Sequence, residues 1–364
     1  GRGMTECREG DVRMKHRVKT GTAFLLALWA LLAPGCAPAR DPNADLLKIG
    51  AYSVVREVLH DGLRPAFASE WKKRTGRAVT FDESYNASGA QARQIVSGLD
   101  VDVAILSHEG DMELLVKAGR VKPTWKDGPH KGVVTHSLVV IGHRAGNPQS
   151  IKDWADLAKP GVGVLYPDPK TSGGARWNIN AIYGSAYLSS CDANSGKPDW
   201  AVIREFMARV QANVVNMDQS GRQSMANFAE RGTGDAVVTY ENELLFRNKE
   251  HEPIPYVVPP ATLLIESPAA VVATAVESHG SREVAEAFVE FLTSDAGQRI
   301  VADYGFRPVK PDAAAPSGAL PLPPKLFTMA DLGGWAKIEE ELYGPKGLWT
   351  SIFTANTSNR AAGR

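Results

Sequence analysis

Three short stretches combine serine hydroxyls with glycine at what read as strand-to-helix turns: Asn86-Ala-Ser88-Gly89, Lys170-Thr-Ser-Gly-Gly174 and Asp218-Gln-Ser-Gly-Arg-Gln-Ser224. The middle one is the richest. The apolar run Val162 to Leu165 reads as a strand before it, and Asn178 to Leu188 as a helix after it. Pro167 and Pro169 impose a bend, Thr171 or Ser172 is placed to cap the helix, and Gly173 and Gly174 put no side chain between backbone and ligand. A helix N-terminus has unpaired N–H groups and partial positive charge, so it can hold a small oxyanion without a cationic side chain. The same pattern also fits plain helix capping, and both readings stand on this segment alone.

Other chemistries find less support. His130, His136 and His143 are the closest group of histidines and match no zinc spacing, so no metal site is expected. Ser195-Gly-Lys197-Pro lacks the upstream glycine of a P-loop, and no Gly-x-Ser-x-Gly elbow occurs. An exported hydrolase with Ser172 or Ser88 as nucleophile would need a histidine base, and the matching turns contain none. Asp168, Asp218 and Glu241 flank the turns. Pointing inward, they could accept from a protonated anion; as capping or solvated residues they need no ligand. Trp154, Trp177 and Trp335 read as packing residues, and Cys191 as a packed or loop thiol. No cofactor and no enzymatic activity are expected.

The elements that position these turns are legible along the chain. Its 364 residues carry 41 basic and 41 acidic side chains, enough length for two lobes with cores of their own and no basic excess for nucleic acid. Lys15, Arg17 and Lys19 precede the apolar run Ala23 to Ala33 and then Pro34-Gly35-Cys36. That order is an export signal, too short for a comfortable membrane span. It resembles a lipoprotein cleavage box, with Ala33 and Pro34 where leucine and a small non-proline residue are usual, and Cys36 is the expected lipid anchor. Met14 reads as the natural start, which leaves residues 1–13 outside the fold.

Strands are expected at Leu46 to Tyr52, Ala78 to Phe81, Val101 to Leu106, Ser137 to His143, Val214 to Met217 and Asp235 to Tyr240, with helices between most of them. That alternation predicts an α/β protein whose lobes each hold a mostly parallel sheet. The division expected is leader, anchor and tether at 1–45, first lobe at 46–137, second lobe at 138–258, a return to the first lobe at 259–354, and a disordered tail at 355–364. In open α/β sheets ligands bind at the carboxyl ends of strands, so the recurrence of these turns at strand ends favours the anion-cradle reading.

The run Pro169-Lys-Thr-Ser-Gly-Gly-Ala-Arg-Trp-Asn178, with Tyr52 to Glu57, Asn86 to Arg93, Ile151 to Pro160, Asn227 to Asp235 and Leu326 to Lys337, resembles the periplasmic sulfate-binding proteins of bacterial ABC importers. These are a branch of the type II periplasmic binding proteins. The resemblance implies two lobes and a monomeric, non-enzymatic receptor for dehydrated sulfate or a related tetrahedral oxyanion such as thiosulfate or phosphate. It also implies a membrane permease as partner, and a periplasmic protein or one anchored on the outer side of the cytoplasmic membrane. Carried over by position, it gives the hydroxyl of Ser88, the hydroxyl and N–H of Ser172, and the N–H groups of Gly173 and Gly174 as donors to the anion. Gly221 stands where the family has an alanine N–H, and Ser53 where it has an aspartate N–H. Tyr240 stands where the family has a tryptophan, whose indole only donates, whereas a hydroxyl also accepts. Arg176 and Arg222 are expected behind the donors, bridging carbonyls or carboxylates.

Overall fold

The computed structural model describes residues 44–310, 312 and 320–361. Cys36 and the export signal lie outside them. Among the described residues ten strands form: β1 (Ala44–Tyr52), β2 (Ala78–Asn86), β3 (Val103–Ile105), β4 (Val133–His143), β5 (Val164–Leu165), β6 (Val214–Asn216), β7 (Ala236–Tyr240), β8 (Tyr256–Val257), β9 (Ala261–Val271) and β10 (Lys325–Phe327). They join in the order β2-β1-β3-β9-β4-β7-β5-β6, with β10 beside β9 and β8 beside β4.

Two long strands make the junction. β4 pairs with β9 over Val133 to Leu138, then with β7 over Val139 to His143; β9 pairs with β4 over Leu264 to Pro268, then with β3 over Ala269 to Val271. All three pairings are antiparallel, whereas β2-β1-β3 and β7-β5-β6 are parallel sets. The direction of each set follows. β1 to β3 run with β4 towards the second set, and β5 to β7 run with β9 towards the first. Both groups of carboxyl ends therefore point at one junction. β4 is buried along most of its length, as its apolar run Leu138 to Ile141 requires.

The helices are α1 (Arg64–Thr75), α2 (Ser88–Val96), α3 (Glu109–Lys117), α4 (Gly173–Ala193), α5 (Trp200–Ala212), α6 (Gly221–Ala229), α7 (Glu241–Glu250), α8 (Ala273–His279), α9 (Arg282–Leu292), α10 (Asp295–Asp303), α11 (Trp335–Ile338) and α12 (Leu348–Ala361). α1 ends at Gly76, whose φ of 77° closes the helix in the left-handed region. Its Phe67 packs edge-on against Phe288 of α9, ring centres 5.0 Å apart. Trp154 and Trp177 are buried packing residues whose indole N–H groups donate to the carbonyls of Ala261 and Ser107.

Two expectations about helices need correction. α4 begins at Gly173 rather than Asn178, because Ser172, in extended conformation, takes the capping position. The tail from Ala355 is not disordered through Ala361 but completes α12. Trp349 and Phe353, one turn apart, stack at 5.0 Å, and Trp349 Nε1 and Asn356 Nδ2 both donate to Gln211 of α5. An apolar stripe at helical spacing thus finds a partner that its polar neighbours conceal.

Candidate anion-binding site

Five chain segments open at the junction, each where a strand end turns into a helix. Tyr52 ends β1 and leads into a 3₁₀ turn over Ser53–Val55; Asn86 ends β2 before α2; Ser172 precedes α4; Ser220 caps α6; Tyr240 ends β7 before α7. They enclose a narrow cavity lined by Tyr52, Ser53, Val54, Ala87, Ser88, Ser172, Gly174, Asn178, Gly221, Thr239, Tyr240 and Glu243. The centre of a water molecule can range over only about 10 Å³ of it. Six of the seven expected donor residues are therefore together. Gly173 belongs to the same turn but borders a wider neighbouring groove, which Ser172 also lines. A Cβ built on Gly173 would come 2.7 Å from Ser107 Oγ, so only glycine lets the α4 turn approach the segment after β3.

Most of the expected donors are unspent. Among the described residues, the N–H groups of Ser53, Ser88, Gly173, Gly174 and Gly221 meet no protein acceptor, as expected for first-turn positions. Ser172 Oγ caps no N–H of its helix and is buried at the cavity wall. Its N–H does not face the cavity as a donor: it bonds Asp168 O at 2.9 Å. The Ser88 hydroxyl is likewise engaged, donating to Asp111 Oδ2 at 2.6 Å and accepting from Ser107 N at 2.8 Å. Of these two serines, then, Ser172 offers its hydroxyl and Ser88 its N–H. The Tyr240 hydroxyl pairs with Ser107 Oγ at 2.9 Å, and burial keeps its pKa well above the usual tyrosine range. It remains a protonated donor.

No lysine or arginine lines the cavity among the described residues. Arg222 stands behind it, bound to Glu57 by two contacts of 2.8 and 2.7 Å, to Glu243 at 3.1 Å and to the Ser53 carbonyl at 3.5 Å. Arg176 donates to the Pro169 carbonyl at 3.0 Å, pairs with Glu339 and lies over the Tyr343 ring. Both arginines thus hold carbonyls and carboxylates rather than reaching inward. The flanking carboxylates are structural too: Asp168 accepts from Lys170 N, Asp218 from Ser224 Oγ, and Glu241 from Arg307 at 2.7 Å. Buried Glu243 has its pKa raised by desolvation, partly offset by Arg222. Among the described residues its Oε2 and the Asn178 Oδ1 are buried without hydrogen-bond partners.

A hydrolytic reading has no geometry here. His108 lies close by, neutral through burial, but the Ser88 proton goes to Asp111, and Ser172 Oγ meets no base among the described residues. Residues 59–307 match the family model described as bacterial extracellular solute-binding protein. The chain belongs to that family. As a bacterial extracellular solute-binding protein it is an exported member of a group of binders, not an enzyme. Among its described residues no helix is long and apolar enough to cross a membrane. It is 38% identical over 304 residues to the sulfate-binding protein of Synechococcus elongatus, covering 83% of this chain and 85% of that one. It is 32% identical over 340 residues to the thiosulfate-binding protein of Pseudomonas aeruginosa, covering 92% and 98%. The solved sulfate-binding protein SubI of Mycobacterium tuberculosis superposes with a TM-score of 0.73 at 35% identity, over 82% of this chain and 99% of that one. The fold of this solute-binding protein is that of the type II periplasmic binding proteins.

Sequence reasoning passed over Asn178, Thr239 and Glu243 as lining residues, and over Ser107, which hydrogen-bonds two of the expected donor residues, Ser88 and Tyr240. One signal was available for Ser107. It follows the buried strand β3 closely, the same carboxyl-end position that marked the other turns.

Proposed function

We propose that this protein is the extracytoplasmic receptor of an ABC importer and binds sulfate through neutral donors. The observation that carries the reading is the convergence of helix starts, with unpaired N–H groups and the free Ser172 hydroxyl, on a cavity without cationic side chains among the described residues. Local dipoles and charge-assisted hydrogen bonds then replace the hydration of a fully ionised anion. Ser53, Ser88, Gly173, Gly174 and Gly221 would give N–H groups, and Ser172 and Tyr240 hydroxyls. Residues 46–137 with 259–354, and residues 138–258, would act as two lobes that close on the ligand and present the closed form to a membrane permease. The receptor would act as a monomer in the periplasm, held to the membrane through a lipid on Cys36. The names of its relatives support sulfate.

Thiosulfate is the second reading, supported by the thiosulfate-binding relative. Phosphate draws support from the unpartnered Asn178 Oδ1 and Glu243 Oε2, which could accept from a protonated anion. Calorimetric titration of the full chain with sulfate, thiosulfate and phosphate at one pH tests all three. Tight sulfate binding with weaker phosphate binding is expected; a protein that ignores sulfate would sink the proposal.

A further inference from the structure

We propose that Ser107 sets the anion selectivity of this site by fixing the direction in which Tyr240 donates, an inference that rests on the oxyanion-receptor reading above. Tyrosine at position 240 poses a problem for a cavity built mainly of donors, because its oxygen could accept from a protonated anion as readily as its proton could be given to an ionised one, adding to the acceptors Asn178 Oδ1 and Glu243 Oε2. The structure supplies a counterpart. Ser107 is fully buried, does not line the cavity, and places its Oγ 2.9 Å from the Tyr240 hydroxyl. That Oγ makes no other hydrogen bond among the described residues.

The order of protons follows from what each hydroxyl can reach. Only Tyr240 faces the cavity. If Ser107 donates to Tyr240 and Tyr240 donates to the anion, both protons are satisfied. In the reverse order the Ser107 proton is buried without an acceptor and Tyr240 turns an oxygen lone pair on the ligand, an arrangement that buried polar groups avoid. The forward order also polarises the tyrosine and strengthens its donation. Ser107 treats the neighbouring serine in the same way: its N–H, 2.8 Å from Ser88 Oγ, occupies that oxygen while the Ser88 proton goes to Asp111. One residue thus masks the acceptor capacity of two hydroxyl groups at the site.

The test is a double-mutant cycle on the full chain, titrated with sulfate and with inorganic phosphate at one neutral pH. Ser107→Ala should lower the sulfate-over-phosphate preference on the order of fivefold, the scale of one hydrogen bond, with most of the change in tighter phosphate binding. Ser107→Thr, which keeps the hydroxyl, should retain the parent preference. In a Tyr240→Phe background, Ser107→Ala should leave the preference unchanged, because no tyrosine oxygen remains to be unmasked. A Ser107→Ala protein that binds sulfate and keeps the parent preference would overturn the role of Ser107 alone. A parent protein that binds no tetrahedral oxyanion would overturn the receptor reading, and this inference with it.

Discussion

Replacement of Gly173 by alanine isolates the close approach on which the proposed site depends. The added Cβ would lie 2.7 Å from Ser107 Oγ and 2.9 Å from both Ser107 Cβ and His108 Cδ2. None of these contacts is tolerable, so the turn before α4 and the segment after β3 must separate. Overpacking of this kind costs about 1–3 kcal/mol. The two segments follow strands in different halves of the sheet, so the cost falls on the arrangement proposed to enclose the anion. With about 1.4 kcal/mol per factor of ten, sulfate affinity should drop roughly 5- to 150-fold. In the proposed receptor the lobes open without ligand and relieve the clash, and alanine removes about 0.4–1 kcal/mol of unfolded-state entropy, so the melting temperature of the free protein should not fall. Gly221→Ala is the control: no described residue lies within 4 Å of its added Cβ, and affinity should stay within a few-fold of the parent. Calorimetry for binding and a thermal melt without ligand separate the two effects. Sulfate binding by the Gly173→Ala protein within twofold of the parent would refute the reasoning.

Ser172→Ala removes a hydroxyl donor to a charged ligand and should weaken binding by about 1.5–3 kcal/mol; an unchanged titration would take Ser172 out of the site. Trp349→Ala leaves a cavity under α12, where that ring is 3% exposed, and should cost about 3 kcal/mol in urea denaturation. An unchanged midpoint would mean that α12 adds nothing to the core. His136 has its pKa lowered to about 4 by burial, with His130 adding to the effect. The unfolded chain, with a histidine pKa of about 6.5, binds more protons between those values. Stability from this group is therefore full above the unfolded pKa and is lost as pH falls, by about 2 kcal/mol between pH 7 and pH 5. His136→Gln should flatten that part of the stability profile, and an identical slope would exclude the histidine as its source.

What could be read from the sequence was whatever a local rule controls. Apolar runs such as Leu138 to Ile141 mark buried strands, and serine–glycine turns at strand ends mark the cavity, because both follow from backbone hydrogen bonding and side-chain size within a few residues. Partner choice is not local. The turn of Lys170 to Gly174 says that donors exist, but not that the Ser172 N–H is taken by Asp168 or the Ser88 hydroxyl by Asp111. α12 was missed for a related reason. Its Trp349 and Phe353 precede the polar run from Ala355 that reads as a tail, and contacts distant in sequence, such as that of Trp349 with Gln211, 138 residues away, reveal a helix face with something to cover.

The crossing of β4 and β9 also fixes an order of assembly. The second set, with β4 leading in and β5 to β8 following, lies in one uninterrupted length of chain and can pair as soon as Val257 is available. The first set cannot. β3 ends at Ile105, yet the neighbour that completes its edge is the end of β9, Ala269 to Val271, so β1 to β3 wait with an open edge while the intervening chain arrives. Pairings so distant in sequence form slowly, since the chain loses the entropy of closing a long loop before the strands can hydrogen-bond. For an exported protein, late completion of the first half means that the chain stays longer in an unpaired, threadable form.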